Sequence, residues 1–503
     1  MSTLARMVSS KPRVLFADQL GPHFDDGGQV IIAEVLGPLR RRRYHRQKAH
    51  LILSALRHRV AELGDRVDYR KGESYRELLT GADLEVVNPT SYGLRRLVAE
   101  LAQQASLTVL PARGFVTSEE DFGSWAQGAT SGRLLMDNFY RSRREALGIL
   151  MAEDSKGAWV PEGGRFNFDH DNRQPPPKGR DSLGVEPPWY PREDEIDREV
   201  RAYLDAREAG GEVSFIGSDG PRLFPATRAE AVEAMHHFME HRLDSFGPTE
   251  DAAMLGDWAM SHSLLSPAMN LGLLDPSEVI EAAEAKYHEG VASLPSVEGF
   301  IRQILGWRDW VWHLYWHAGE DFVTRNYFGH QNPLPDFFAG LDASAVQSKC
   351  LSHVLKEVAT RGWTHHINRL MVLGSWALQR GIEPRALNEW FVDAFVDGTP
   401  WVMPANVIGM SQYADGGMVA TKPYTSGGSY LSTMTNYCSG CPFSPTQRLG
   451  EKACPMTGGY WTFLHRSSGL LASNHRMAKT LGGMRRLSDL PEVVAQETQR
   501  TGW

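Results

Sequence analysis

Arg13-Val-Leu-Phe-Ala17, stopping at Asp18, and Gln29-Val-Ile-Ile-Ala33, stopping at Glu34, decide the fold of the first part of this chain. Each is a short apolar run of strand length closed by an acidic residue. Leu51 to Leu63 then carries apolar residues at helical spacing, and Leu107-Thr-Val-Leu110 is a further short strand. Strand, helix, strand at this rhythm over the first 115 residues predicts a parallel α/β sheet. Ligands of such sheets sit beyond the carboxyl ends of the strands, where Asp18, Gln19, Glu34 and Val35 fall.

Outward from that sheet the chain changes character. Asn172-Arg-Gln-Pro-Pro-Pro-Lys178 and Val185-Glu-Pro-Pro-Trp-Tyr-Pro191 are rich in proline and polar residues and read as a long surface connector over 155–195. From about residue 196 helical periodicity dominates. In the stretch from Glu298 to Trp310 and beyond, Phe300, Ile304, Trp307, Val311 and Leu314 recur at steps of four and three, which is one helix face. No internal repeat is present.

The whole chain has 503 residues, which implies two or three domains. Apolar residues make up 42% and charged residues 23%, a globular composition that excludes a largely disordered chain. No run of about 18 apolar residues exists, so no membrane span is expected. The N-terminal stretch Met1 to Leu20 has no apolar segment long enough for a signal peptide, and the chain reads as cytoplasmic. The net charge of −8 does not exclude nucleic acid, because a local basic patch decides that. Of 14 Trp, six fall between Trp307 and Trp376. A large helical core explains them, and so does a redox or flavin protein in which indoles stack on a cofactor or carry electrons.

There are four cysteines. Cys438-Ser-Gly-Cys441 is followed after twelve residues by Cys454-Pro455, and Cys350 lies far upstream. A structural disulfide is unusual in a cytosolic chain. Three close thiols and one distant one can hold a structural zinc ion or an iron–sulfur cluster.

These residues, taken in order with several further motifs, resemble the bacterial cryptochrome/photolyase branch that carries a [4Fe–4S] cluster, whose repair-active members are prokaryotic (6-4) photolyases. The resemblance runs through Asp18-Gln-Leu20, Ala33-Glu-Val35, Gly164-Arg-Phe-Asn-Phe-Asp169 with Asn172-Arg-Gln-Pro175, His262-Ser-Leu-Leu-Ser266 and Glu298-Gly-Phe-Ile-Arg-Gln303. It continues through His365-His-Ile-Asn-Arg-Leu370, Asn406-Val-Ile-Gly-Met-Ser-Gln412, Ala414-Asp-Gly-Gly417 and Thr421-Lys-Pro-Tyr424, and the cysteine quartet matches in order and spacing.

The resemblance implies an α/β antenna domain over 1–135, an interdomain connector over 136–200, and an all-helical FAD-binding domain over 201–503 with a C-terminal cluster region. It implies three cofactors: FAD, a [4Fe–4S] cluster on Cys350, Cys438, Cys441 and Cys454, and 6,7-dimethyl-8-ribityllumazine as antenna near Asp18, Gln19 and Glu34. Ser263, Leu264, Leu265 and Ser266 are similar to the flavin phosphate segment; alone the serines read as a simple helix cap, and in the context of the resemblance as the flavin segment. Gln303, Trp307 and Arg308 resemble the helix lining the flavin, and Asp397 and Asn406 resemble positions beside its ring and ribityl chain.

His365 and His366 are adjacent, so on a helix they point about 100° apart and do not both face one cavity. The match implies that His366 faces the lesion as proton donor, with His365 beside it and with Tyr424 and Tyr430 in the lesion pocket. Trp390 is the implied electron-transfer residue. Arg40-Arg-Arg-Arg-Tyr-His-Arg-Gln-Lys48 carries six positive charges and reads either as a solvated helix start or as a contact for antenna or phosphate. Arg141, Arg143 and Arg144 form a second basic cluster, and Lys422 is the better candidate for phosphate.

The chain departs from the family at several points. Met403 stands where a Glu is common, Phe391 where Tyr is common, and 341–349 has no aromatic residue. Ala17-Asp-Gln-Leu-Gly21 replaces the usual Gly-Asp-Gln-Leu-Ser. The function implied is light-driven repair of (6-4) photoproducts in UV-damaged DNA by a monomeric lyase. The alternative is a cryptochrome-like blue-light sensor using the same cofactors.

Overall fold

The computed structural model describes residues 11–129 and 134–503; the first ten residues of the N-terminal reading lie outside them. Five strands form one sheet: β1 (Arg13–Leu15), β2 (Val30–Val35), β3 (Val67–Gly72), β4 (Leu84–Val87) and β5 (Leu107–Leu110). Their order is β3-β2-β1-β4-β5 and every pairing is parallel. Val14 in the central strand lies opposite Ile31 and Val86, so β-branched residues meet across the middle of the sheet. The central strands are buried on both faces, which is why they read as continuous apolar runs. β3, Val-Asp-Tyr-Arg-Lys-Gly, is a charged edge strand without that signature.

The helix Arg46–Leu63 crosses behind the sheet and packs on the helix Glu195–Ala209, which opens the helical half. Between the two halves the chain forms a small antiparallel hairpin, Met151–Glu153 with Trp159–Pro161, and then runs without regular structure to Pro191. The two halves are in close contact. A single apolar cluster extends from Leu15 and Ile32 on the sheet to Phe300, Trp310 and Phe463 in the helices. At Gly21 a Cβ would stand 1.9 Å from the Gly272 carbonyl oxygen, so the serine common at this position has no room here.

In the basic run Arg40 to Lys48, Arg40, Arg41 and Arg43 are exposed as the solvated reading expects, while the rest turns inward. It clamps the halves together. Arg42 pairs with Asp393, Arg46 with Asp205, and the His45 backbone N–H donates to the Asp393 carbonyl. The Lys48 ammonium is buried and donates to the Val392 and Gly398 carbonyls; burial lowers its pKa to about 8. Arg144, from the second basic cluster, is also buried and donates to the carbonyls of Ile149, Leu150 and Phe166. Among the described residues no helix is long and apolar enough to cross a membrane.

Candidate active site

Three π-helical turns lie in the helical half: Arg302–Arg308, Asn368–Gly374 and Ala405–Ser411. All three contribute side chains to one cavity of about 290 Å³. A π turn widens the helix and turns extra side chains to one side, and such turns cluster at functional sites. The second and third touch closely: a Cβ on Gly374 would stand 2.7 Å from the Ser411 Cβ.

Gln303, Trp307 and Arg308 come from the first turn, Arg369 and Leu370 from the second, and Asn406 from the third. Ser263, Leu264, Ser266 and Asp397 complete one side. Leu264 holds a left-handed backbone at φ 60, an uncommon conformation for a residue with a side chain. Leu265 is fully buried and does not line the cavity. Asp397 accepts a paired contact from Arg369 at 2.9 and 3.1 Å and a hydrogen bond from the Ser266 hydroxyl at 2.8 Å. Met403 and Phe391 are also in the wall, whereas Trp390 lies behind Phe391 with its indole N–H donated to the Ala339 carbonyl.

A second cavity of about 420 Å³ lies against the first. Gln303, Trp307, His366, Leu370 and Asn406 line both, so these side chains form a common wall. The outer cavity adds Tyr424, Tyr430, Lys422 and Met410, which come from separate parts of the sequence, together with Arg173, Glu250, Asp251 and Tyr460. Tyr424 and Lys422 are exposed. Burial, with Asp251 adding to it, pushes the Tyr430 hydroxyl up to about 12.

Both histidines line the inner cavity, which the helical 100° argument did not allow. His365 precedes the helix that begins at His366, so its backbone is not helical and the argument fails for this pair. Their surroundings differ. His365 is buried and stacks on His262 at 4.9 Å; burial first, then the charges of His366 and Arg369, hold its pKa well below the usual histidine value. His366 is 44% exposed at the side chain, and its Nε2 lies 3.3 Å from Asp251 Oδ1. Burial alone would raise the Asp251 pKa, but the hydrogen bond and charge of His366, with Arg173, hold it below the usual carboxylate range.

Arg173 explains two of the sequence motifs. Its backbone is left-handed at φ 62, and its guanidinium reaches Asp169 at 3.1 Å and Glu250 at 3.1 Å. Arg302 pairs with Asp169 and Glu298, and the Glu298 carboxylate accepts from the Phe168 backbone N–H. The connector motif around Asp169 is thereby tied to the Glu298–Gln303 segment under the outer cavity.

Two further groups stand apart. Glu34 accepts a paired contact from Arg57 at 2.9 and 2.8 Å and a hydrogen bond from the Tyr69 hydroxyl, beside a cavity of about 340 Å³ also lined by Arg40, Lys71, Tyr203 and Arg207. Asp18 and Gln19 do not line it. Asp18 is half-buried and accepts from Thr90, and desolvation raises its pKa; the Gln19 side chain donates to the Val87 carbonyl. The four thiols gather near the C-terminus. Burial first, then Cys454, Cys438 and Cys441, raises the Cys350 pKa, and Cys438 is pushed up to about 12 in the same way. Among the described residues no three of these sulfurs lie within 4.8 Å of one another.

Asp251, Glu250, Arg173 and Arg369 had no assigned role from sequence. Arg369 stands inside a quoted motif, and its fork geometry suits a carboxylate. Asp251 carries no local signal, because its partner is 115 residues away.

A parallel sheet joined to a helical half that encloses a deep cavity defines the photolyase/cryptochrome class. A class III photolyase structure from Agrobacterium tumefaciens is similar with a TM-score of 0.57 at 15% identity, covering 94% of this chain and 100% of that one. A Synechocystis cryptochrome is similar at 0.52 and 13%, covering 81% and 83%. A family model described as deoxyribodipyrimidine photo-lyase-related protein matches residues 14–213. A curated relative, the (6-4) photolyase of Agrobacterium fabrum, is 37% identical over 95% of this chain and 96% of its own. The chain belongs to this deoxyribodipyrimidine photo-lyase-related family.

Photolyases and cryptochromes as a family bind FAD. The inner cavity suits such a ligand. Arg308 Nε, His262 Nε2, Trp363 Nε1 and His365 Nδ1 are buried in its wall with no hydrogen-bond partner among the described residues. Buried nitrogens of this kind are costly unless a ligand answers them, and a dinucleotide brings phosphate, ribityl and ring groups that can.

Proposed function

We propose that the protein is a light-driven (6-4) DNA photolyase acting on UV-damaged DNA. The observation that carries this reading is the common wall. A cavity with unanswered buried nitrogens and an open cavity holding His366, Tyr424 and Tyr430 are separated by Gln303, Trp307, Leu370 and Asn406. FAD, when bound in the inner cavity and reduced, supplies an electron under blue light. Asp397, held by Arg369 and Ser266, and the buried nitrogens of Arg308 and Trp363 orient it.

Tyr424 offers a flat face at the mouth of the outer cavity for a base swung out of the duplex. Tyr430 keeps its hydroxyl proton at neutral pH and donates a hydrogen bond. Lys422, exposed at the same mouth, meets backbone phosphate. His366 gives the lesion the proton it needs as it gains an electron. With Asp251 ionised, Nε2 carries its hydrogen toward that carboxylate, and Nδ1 is the atom left to deliver a proton. His365, buried and neutral, orients the neighbouring ring through its stack with His262.

Two further cofactors belong to this reading. Cys350, Cys438, Cys441 and Cys454 would hold a [4Fe–4S] cluster, with Pro455 after the last thiol as in iron–sulfur binding runs, and metal analysis returning one zinc and no iron would refute it. The cavity at Glu34 suits 6,7-dimethyl-8-ribityllumazine, whose polar edges would meet Arg40, Lys71 and Glu34.

The test of the main reading is repair of a (6-4) oligonucleotide by chemically reduced, flavin-bearing protein under blue light. Restored pyrimidines are expected, with none formed in the dark. Flavin-bearing protein that repairs nothing would move the assignment to a blue-light sensor.

A further inference from the structure

We infer that Lys48, a residue of the α/β half, is a positioning residue for the cofactor: it holds the loop that presents Asp397 to the inner cavity. The inference rests on the reading that FAD occupies that cavity. The helix Pro384–Ala394 ends at Phe395, and the chain then turns back through Gly398. The last carbonyls of a helix have no partner within it and form its negative end. The turn closes on them. A Cβ on Gly398 would stand 2.6 Å from the Phe391 carbonyl oxygen and 2.7 Å from that of Val392, so a side chain has no room there.

Lys48 enters this group of carbonyls from the helix Arg46–Leu63 of the other half. Its buried ammonium donates to the Val392 carbonyl at 2.5 Å and to the Gly398 carbonyl at 2.6 Å. One cation thereby ties the helix end to the loop. The charged groups around it are Asp393, Asp397 and Arg42, with the Tyr44 ring at 5.1 Å. A buried cation is costly unless it is paired and hydrogen-bonded. The halves already meet through a large apolar cluster and through the pairs Arg42–Asp393 and Arg46–Asp205. What Lys48 adds is a hold on Gly398.

That hold bears directly on Asp397. Glycine is the loosest joint in a chain, and only its two soft dihedrals separate the rigid peptide planes on either side. The plane before Gly398 is fixed by Asn270, whose amide donates to the Asp397 carbonyl at 3.1 Å. The plane after it is fixed by Lys48. With both planes held, the Asp397 carboxylate stands where Arg369 and Ser266 meet it in the cavity wall. The α/β half thus supplies part of the cofactor site without touching the cavity.

The experiment is flavin retention on dialysis, measured on full-length flavin-bearing wild type, Lys48→Met, Lys48→Arg, Asp397→Ala and the double variant Lys48→Met/Asp397→Ala. Lys48→Met keeps the apolar stem and removes the donors, and it is expected to weaken retention about tenfold, with partial recovery in Lys48→Arg. Because Lys48 acts through Asp397, the double variant should match Asp397→Ala within about twofold. Arg46→Met removes an interface pair from the same helix without reaching the loop, and its retention should stay at the wild-type level. Lys48→Gln, shorter but still a donor, takes the place of Lys48→Met in the cycle if the latter does not fold, with a smaller loss of the same sign expected. Wild-type retention by the folded Lys48 variant, additive losses in the double variant, or an equal loss in Arg46→Met would overturn the inference while leaving the FAD reading intact. Wild type that takes up no flavin on reconstitution would overturn both.

Discussion

The inner cavity is walled by three π-helical turns and by histidines that burial keeps neutral, whereas the outer cavity carries Arg173, Glu250, Asp251, His366 and Lys422. They share Gln303, Trp307, His366, Leu370 and Asn406, and differ in the rest of their walls. The inner one recognises through buried nitrogen donors already in place and holds one ion pair, Asp397 with Arg369, in its wall. The outer one is open and ionic, which suits a proton donor and a polyanion. Holding a cofactor and moving a proton are separate tasks, and the molecule places them on two sides of one wall.

The contrast predicts which variants lose what. Asp397→Ala leaves the half-buried Arg369 guanidinium without its carboxylate, so flavin retention should fall by tenfold or more, on the order of 1.5–3 kcal/mol for a charge-assisted contact. Dialysis followed by flavin quantitation reads this directly. Asp251→Asn should leave flavin content unchanged and slow repair about tenfold at saturating DNA, because His366 loses its ionised partner. If Asp251→Asn released flavin, or Asp397→Ala slowed repair without releasing it, the division between the cavities would be wrong.

Acid should strike the buried histidines selectively. His262 and His365 have pKa values held well below the unfolded value near 6.5, and His45 is lowered to about 4, in each case by burial. A base with a lowered folded pKa binds fewer protons folded than unfolded, so stability is full above the unfolded value and is lost as pH falls through it. His45 alone contributes a loss on the order of 3 kcal/mol between about pH 6.5 and 4. The melting midpoint should therefore drop from pH 7 to pH 5, and His45→Gln should flatten that slope if the variant folds. An unchanged midpoint would mean these rings are already charged in the fold.

Much of this contrast could be read from sequence, and the parts that could not share a cause. β1 and β2 were visible because buried parallel strands are continuously apolar, and β5 by its composition although it is a part-exposed edge; β3 was not, because a charged edge strand looks like a loop, and neither was the buried β4, which Glu85 interrupts. The residues of the common wall were quoted in motifs. The geometry between motifs was not readable: Asp251 meets His366 across 115 residues, and Arg173 meets Asp169 through a left-handed backbone. Arg42, Arg46 and Lys48 looked like surface because charge usually is, but their partners are carbonyls and carboxylates of the other half. Helical angles were applied to His365, which is not in the helix.

Two smaller effects sharpen the picture. Tyr430→Phe removes one hydroxyl from the outer cavity and should slow repair about threefold to tenfold, the range of a single hydrogen bond, with flavin unaffected. Glu34→Gln lies far from both cavities in function. Repair driven by light absorbed directly by the flavin should stay within about twofold, while an antenna band in the action spectrum should weaken, since one charge-assisted contact there is lost.

The division of labour across the wall is tested most directly by His366→Ala in pre-reduced protein bound to a (6-4) oligonucleotide and excited by single flashes. Lesion-dependent quenching of the flavin excited state reports the electron, and restored pyrimidines report the proton. The account predicts wild-type quenching with repair reduced by about 10² or more in His366→Ala, and a smaller loss in His365→Ala. Near-wild-type repair per flash by His366→Ala would contradict it.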